Sequence, residues 1–314
     1  MIHPLTGARE SVRLKCLKCG HIRLQRTGSG FECLSCSAAF PTVDGIPRFV
    51  DSELYSGSFG FQWNHFARTQ LDSANDDRSS RDTFVEKTGW PTEVLAGCTV
   101  LDAGCGMGRF AEVCADAGAE VYGVDLSRAV EAAAANLRGR PNVRLYQADI
   151  MNLPFADQSF DFIYSIGVLQ HTPDTRTAFS RLPRLLKPGG RLAVWVYSTR
   201  LRALVGSTIL RLVTPRVPKR WLLRACRIAV PLYHVHCLPV VGRMTSVLLP
   251  TSLHPRSEWR WLDTFDWYSP EFQWKHTYEE VERWFRDAGL IDVVRGSFPV
   301  SVRGCRPAKP EANE

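Results

Sequence analysis

Three glycines two residues apart, Gly104, Gly106 and Gly108, follow the apolar run TVLDA (99–103) and precede RFAEV (109–113). Glycines between a β-branched run and a helix let backbone approach a ligand closely. They also leave the N–H groups of the helix N-terminus facing it. This is a seat for a nucleotide-like group. A dinucleotide fingerprint needs GxGxxG, and Arg109 stands where the third glycine belongs, which argues against a pyrophosphate. Asp125 ends the next strand pattern about twenty residues beyond the first glycine, placed to accept both hydroxyls of a ribose. A nucleoside is implied and a dinucleotide is not.

A second chemistry is written near the start. Cys16 and Cys19, then Cys33 and Cys36, form two CxxC pairs separated by thirteen residues. Two such knuckles bring four thiolates to the corners of a tetrahedron, which suits a closed, structural Zn²⁺ with no open position for catalysis. Redox exchange is the competing use of a CxxC, but no thioredoxin-like βαβ pattern surrounds either pair. The other six cysteines are scattered without ligand spacing, which favours reduced thiols over a disulfide framework.

These residues need elements to hold them. With 314 residues, 45% of them hydrophobic, the chain can bury a sizeable core. A ribbon-like module over residues 1–50 is followed by a polar, aromatic-punctuated connector, 51–90, expected to cover the nucleoside site. Strand patterns TVLDA, EVYGVD, VRLYQAD, FDFIYS and RLAVWVYS then alternate with helical ones. That alternation predicts an α/β domain over 91–314, a doubly wound, mostly parallel sheet with its ligand at the carboxyl ends of the strands. An insert, 199–262, interrupts the pattern. Leu201, Leu204, Val205, Ile209, Leu212 and Val213 recur at helical spacing until Pro215 and Pro218 break the run, so an inserted helical lid is expected. TYEEVERWFRDAGL and IDVVRGS close the domain as a helix and a last strand.

The sequence resembles the class I S-adenosylmethionine-dependent methyltransferases over about 91–198 and 276–294. The resemblance is carried by VLDAGCGMGRF, VYGVDLS, QADIMNLPFADQSFDFIYSIGVLQHTPD and LKPGGRL. It implies a Rossmann-like fold with S-adenosylmethionine as cofactor. Asp102, Gly104, Gly106 and Gly108 would line its methionine end, Asp125 with Leu126 the ribose, and Asp149 with Ile150 the adenine. The N-terminal module, ending AFPTVDGIPRFV, resembles the small zinc-ribbon proteins that activate methyltransferases of tRNA and translation release factors, here fused in cis. A scaffold role for the ribbon is the reading preferred from sequence.

Methyl transfer from a sulfonium is an in-line displacement, so the protein chiefly aligns the acceptor and excludes water. A protonated acceptor also needs a base. His171, after the fourth strand pattern, and His276, before the last helix, are the candidates. A structural hydrogen bond accounts for His171 equally well, and Thr277 with Glu280 reads as a capping box beside His276. Trp63 and Phe61 in GFQWNHF (60–66) either cover the cofactor or pack as core. Asp266 and Tyr268 are candidates for the acceptor wall.

Charge is uneven. Residues 200–261 carry eleven Lys/Arg against one acid, a balance of +10 that leaves the remainder at −3 within a total of +7. Such a surface favours anionic partners. An apolar, arginine-rich insert fits a small-molecule or lipid-like acceptor and peripheral contact with a membrane; RNA base methylation is the alternative, and a non-catalytic binding module the third. The longest uncharged run, IAVPLYHVHCLPVVG, is too short to cross a bilayer. The N-terminal residues carry no evident leader, so cytoplasmic placement is expected, at the membrane periphery if the insert docks there.

Overall fold

The computed structural model describes residues 12–199 and 205–308. The N-terminal module is a four-stranded antiparallel sheet in sequence order: β1 (Leu24–Arg26), β2 (Gly30–Cys33), β3 (Ala39–Val43) and β4 (Ile46–Pro47). Strands this short cannot enclose a core of their own. Phe40 and Phe31 instead pack on Phe49, with ring centroids 4.8 and 6.3 Å apart, and Phe49 reaches Tyr146 of the main sheet at 6.3 Å. Backbone joins the two modules as well. Leu14 bridges Phe155, Arg48 bridges Gln147, and the Phe49 N–H donates to the Gln147 carbonyl at 2.8 Å.

The connector folds into α1 (Gly57–His65), α2 (Asp72–Asn75) and α3 (Ser79–Thr88). The α/β unit follows as β5 (Thr99–Ala103), α4 (Arg109–Asp116), β6 (Glu120–Asp125), α5 (Ala129–Asn136), β7 (Val143–Gln147), β8 (Phe160–Ile166), α6 (Thr175–Ser180) and β9 (Leu186–Trp195). Strand alternation divides the core between two faces. Val100, Val121, Phe162 and Tyr164 meet Phe84 and Trp90 on one side, while Leu101, Tyr122, Phe160 and Ile163 meet Phe155, Phe179 and Phe285 on the other.

After β9 come α7 (Val205–Leu210), α8 (Lys219–Cys226), α9 (Ala229–His236), α10 (Val241–Leu248) and α11 (Ser257–Tyr268), then α12 (Tyr278–Asp287), β10 (Ile291–Arg295) and β11 (Ser301–Cys305). Helix α11 runs through residue 262, where the insert was expected to end. Leu201 and Leu204 lie outside the described residues. Ile209, Leu212 and Val213, which recur at helical spacing, are exposed. Strand β11 was not anticipated. It is antiparallel to both β9 and β10.

The seven strands lie in the order β10-β11-β9-β8-β5-β6-β7, mixed in direction only at β11. Strand β5 has β6 on one side and β8 on the other, so connections leave it in opposite directions. A crevice opens at the carboxyl ends of such a pair.

Candidate active site

A cavity of about 650 Å³ occupies that crevice. Its floor is the loop after β5. Gly104 has φ +101°, and a side chain there would collide with the Val168 methyls; Gly106 has φ +53°, and a Cβ would stand 3.2 Å from Trp63 Nε1. Only glycine keeps this cradle open. Gly108 caps α4 without a side chain, leaving first-turn N–H groups for another acceptor.

Asp125 closes the cradle. Its Oδ2 accepts from the Gly106 N–H at 2.8 Å, and its Oδ1 accepts from the Ser127 N–H at 2.8 Å and hydroxyl at 2.7 Å. A carboxylate has about four acceptor positions, so one remains for a hydroxyl group. Burial raises the pKa of Asp125, and the Ser127 and Gly106 donors oppose that rise. Leu126 and Ile150 line the same wall. Asp149 sits beside Ile150, accepting from the Met151 N–H at 2.9 Å and the Tyr55 hydroxyl at 3.3 Å. Asp102 lies behind the wall, 2% exposed, its Oδ2 without a partner; burial lifts its pKa to about 7.

Beyond the cradle the cavity widens between α1, α3, α11 and the end of β9. Trp63, Trp195, Trp259 and Phe298 give it aromatic walls. Lys87 stands 3.4 Å above the Trp195 ring, and burial pushes its pKa down to about 7. Asp266 ties three elements together: its Oδ1 accepts from Gln62 Nε2 at 3.1 Å and its Oδ2 from the Tyr197 hydroxyl at 2.9 Å. One turn earlier, burial raises Asp263 to about 7. Arg109 donates to Ser80, Gln70 and Thr83 and stacks against Trp259, 5.1 Å from its centroid.

His171 lines this chamber. Its Nδ1–H donates to the Phe272 carbonyl at 2.8 Å, and Nε2 is buried with no partner. Burial lowers its pKa, with Asp266 acting in the opposite direction. His276 is not brought to the chamber. In the extended segment before α12, Gln273 and Lys275 face the cavity, and alternation turns Trp274 and His276 away. His276 Nδ1 instead meets Glu280 Oε2 at 3.3 Å, its ring packs edge-on against Trp284, and the capping box of Thr277 and Glu280 is formed. Phe61 likewise packs on Phe265, leaving Trp63 alone of that pair on the wall.

The four ribbon thiols converge. Their sulfurs lie within 4.8 Å of one another, with Cys16 to Cys36 at 3.6 Å and Cys19 to Cys33 at 3.5 Å. A tetrahedron with arms of about 2.3 Å has edges of about 3.8 Å, so the donor set fits Zn²⁺. N–H groups of Lys18 and Ser35 point at Cys16 and Cys33 sulfurs at 3.4 Å, as expected around thiolates. None of the ten cysteines is in a disulfide.

Sequence reasoning missed Lys87, Trp195, Tyr197, Trp259 and Asp263. Trp195 and Tyr197 had a signal: they stand at the carboxyl end of β9, where ligands of open sheets bind.

Comparison with known proteins agrees with this geometry. Residues 101–194 match the family model described as a methyltransferase domain. The chain is 42% identical over 130 residues to the methyltransferase GfsG of Streptomyces halstedii, covering 38% of this chain and 47% of that protein. It is 40% identical over 131 residues to the O-methyltransferase resE of Aspergillus sclerotiorum, covering 38% and 50%. With phosphoethanolamine N-methyltransferase 2 of Caenorhabditis elegans it shares 39% identity over 166 residues, covering 50% and 37%. The chain spans half or less of the length of each of these relatives. The similarity to a methyltransferase domain thus lies at the centre of the chain.

Proposed function

We propose that the protein transfers a methyl group from S-adenosylmethionine to a small-molecule or lipid-like acceptor. One observation carries the reading: a single cavity joins the Gly104–Gly106 cradle and Asp125 to an aromatic chamber that holds an unpartnered histidine nitrogen. Relatives named for O-methylation and for phosphoethanolamine support the acceptor class.

The cofactor, when bound, supplies an electrophilic methyl on a sulfonium. Gly104 and Gly106 give backbone room for its methionine part, the remaining acceptor position of Asp125 takes a ribose hydroxyl, and Asp149 with Ile150 borders the adenine. Asp102 and Gly108 shape the loop from behind. Trp63 and Trp195 exclude water and present aromatic faces, favourable beside a cation. His171, kept neutral by burial, has its Nε2 lone pair free because Nδ1 carries the proton given to Phe272; it accepts the acceptor's proton. Helices α7 and α11 cover the chamber as a lid through Ser207 and Trp259, and the ribbon holds structural zinc as a scaffold.

The test incubates the purified chain with methyl-labelled S-adenosylmethionine and total cell extract, then partitions the label. Label in the organic or low-mass fraction is expected. Label confined to RNA overturns the acceptor class in favour of RNA base methylation, and absence of calorimetric binding of S-adenosylhomocysteine overturns the enzymatic reading.

A further inference from the structure

Helix α10 is turned inside out. Val240, Val241, Met244, Val247 and Leu248 recur at i, i+1, i+4, i+7 and i+8, the spacing of one helical face. They are 73, 48, 65, 57 and 73% exposed. The opposite side is the packed one: Gly242 sits so close to the His236 carbonyl that no side chain fits there. The neighbouring elements repeat the pattern. Ile209 in α7, Leu212 and Val213 just after it, Trp221 in α8 and Ile228 between α8 and α9 also stand in solvent. Among the described residues, twelve of the twenty-one exposed large hydrophobic side chains fall within 209–253. Single exposed apolar residues are ordinary, but five on one face of a single helix, as on α10, mark a surface that something covers.

The charges say what covers it. No Asp or Glu occurs between Asp174 and Glu258. Arg216, Arg220, Arg224, Arg227 and Arg243 are all exposed on this unit. Trp221 stands between Arg220 and Arg224, whose guanidiniums lie 5.9 and 4.9 Å from its ring. Arginines flanking tryptophan and aliphatic side chains match the two layers of a bilayer interface, anionic headgroups outside and acyl chains beneath. A polyanion such as RNA would satisfy the arginines and leave the α10 stripe in water. A second copy of the chain would cover the stripe and bring like charges face to face. No helix is long and apolar enough to cross a membrane among the described residues, so the contact is with the surface.

We propose that helices α7 to α10 dock the protein on an anionic lipid bilayer, with Val240, Met244, Val247 and Leu248 entering the acyl boundary and the arginines pairing with headgroups. Where the chain sits is separate from what it methylates. On the methyl-transfer reading, α7 belongs both to this surface, through the exposed Ile209, and to the chamber, whose wall includes Ser207.

The experiment is vesicle flotation of the full chain with phosphatidylcholine alone and with phosphatidylcholine containing phosphatidylglycerol, at low and high salt, without cofactor. Binding to the mixed vesicles is expected, weakened by salt, with little binding to phosphatidylcholine. The Arg220→Gln/Arg224→Gln variant should lose about 25-fold in affinity, about fivefold per arginine. Val240→Ser/Leu248→Ser should lose about tenfold at low salt. All four positions are exposed, so unchanged thermal unfolding is the control. Equal binding to both vesicle types overturns the proposal. So does a serine variant that binds as tightly as the parent, displacement from vesicles by tRNA at substoichiometric amounts, or a stable dimer in sedimentation with no vesicle binding. Calorimetry with S-adenosylhomocysteine on the same samples reports separately on the methyl-transfer reading.

Discussion

The Nδ1–H of His171 donates to the carbonyl oxygen of Phe272 at 2.8 Å, across 101 residues of chain, and so fixes which nitrogen of the ring carries the proton. A carbonyl only accepts, so Nε2 holds the free lone pair. The ring is boxed by Phe59 and Tyr197, with centroids at 4.9 and 5.3 Å. One hydrogen bond therefore selects the tautomer that a general base needs.

Replacing His171 with Asn keeps a donor near Phe272 and removes the basic nitrogen. The turnover rate should fall about 10²- to 10⁴-fold, the usual worth of a positioned base, with S-adenosylhomocysteine affinity unchanged. The pH dependence has a fixed sign. Burial lowers the folded pKa below the ordinary imidazole value of about 6.5. The neutral ring therefore persists through neutral pH, and both stability and rate decline as pH falls from that value through the lowered one. A rate–pH profile of H171N with the parent's acid limb would remove His171 from the chemistry.

Asp125 should govern cofactor affinity. In Asp125→Asn, one oxygen becomes an amide nitrogen that cannot accept from Gly106 or Ser127, so the cradle loses a charge-assisted bond worth about 1.5–3 kcal/mol. Calorimetric affinity for S-adenosylhomocysteine should drop about 10- to 100-fold. Far smaller losses in D125N would mean that backbone groups of the loop hold the ligand without it.

The ribbon should contain one zinc ion per chain. Prolonged chelation at mildly acidic pH removes such a metal because its ligands must be thiolates. Its loss should lower the unfolding temperature and free four thiols to a colorimetric reagent. Cys36→Ser should show the same loss of metal by mass spectrometry under native conditions. Full metal occupancy in that variant would count against the four-sulfur site.

What was legible in the sequence was local. The Gly104 to Gly108 loop, Asp125 and the four cysteines announce themselves by spacing, because their geometry is made within a turn or two of backbone. Lys87, Tyr197 and Asp263 come to one chamber through tertiary packing of α3, the segment after β9 and α11, and no spacing relates them. His276 was misplaced because a capping signal locates a helix start and says nothing about which way the preceding extended residues alternate. Strand β11 escaped because SVRGC lacks a β-branched run; at Gly304 a Cβ would stand 3.0 Å from the Phe285 ring and 3.2 Å from the Ile291 carbonyl, a tight fit for any larger residue. The insert reads as helical, but spacing alone leaves open whether its apolar positions form core or a docking face, and several of them face outward.

Arg48 should control whether the ribbon stays docked. Its side chain is 8% exposed, donating from Nη1 to Gln147 Oε1 at 2.9 Å and pairing through Nη2 with Glu131 at 3.3 Å. These contacts fasten the chain after β4 to β7 and α5, beside the backbone bridge at Gln147. Arg48→Leu removes both and leaves Gln147 buried with an unmet acceptor, while Glu131 keeps Arg128 at 3.0 Å. Breaking a fully buried pair costs about 3–5 kcal/mol, and the retained Arg128 contact brings the expected loss to about 2 kcal/mol. Hydrogen exchange should quicken first at Phe49 and along β7, where the ribbon covers the sheet edge, and later in the cradle. If the ribbon is a scaffold, methyl transfer should fall only as far as this edge loosens and should return when the variant is cooled. A variant with intact exchange protection and abolished transfer would instead assign the ribbon a direct part in holding the acceptor.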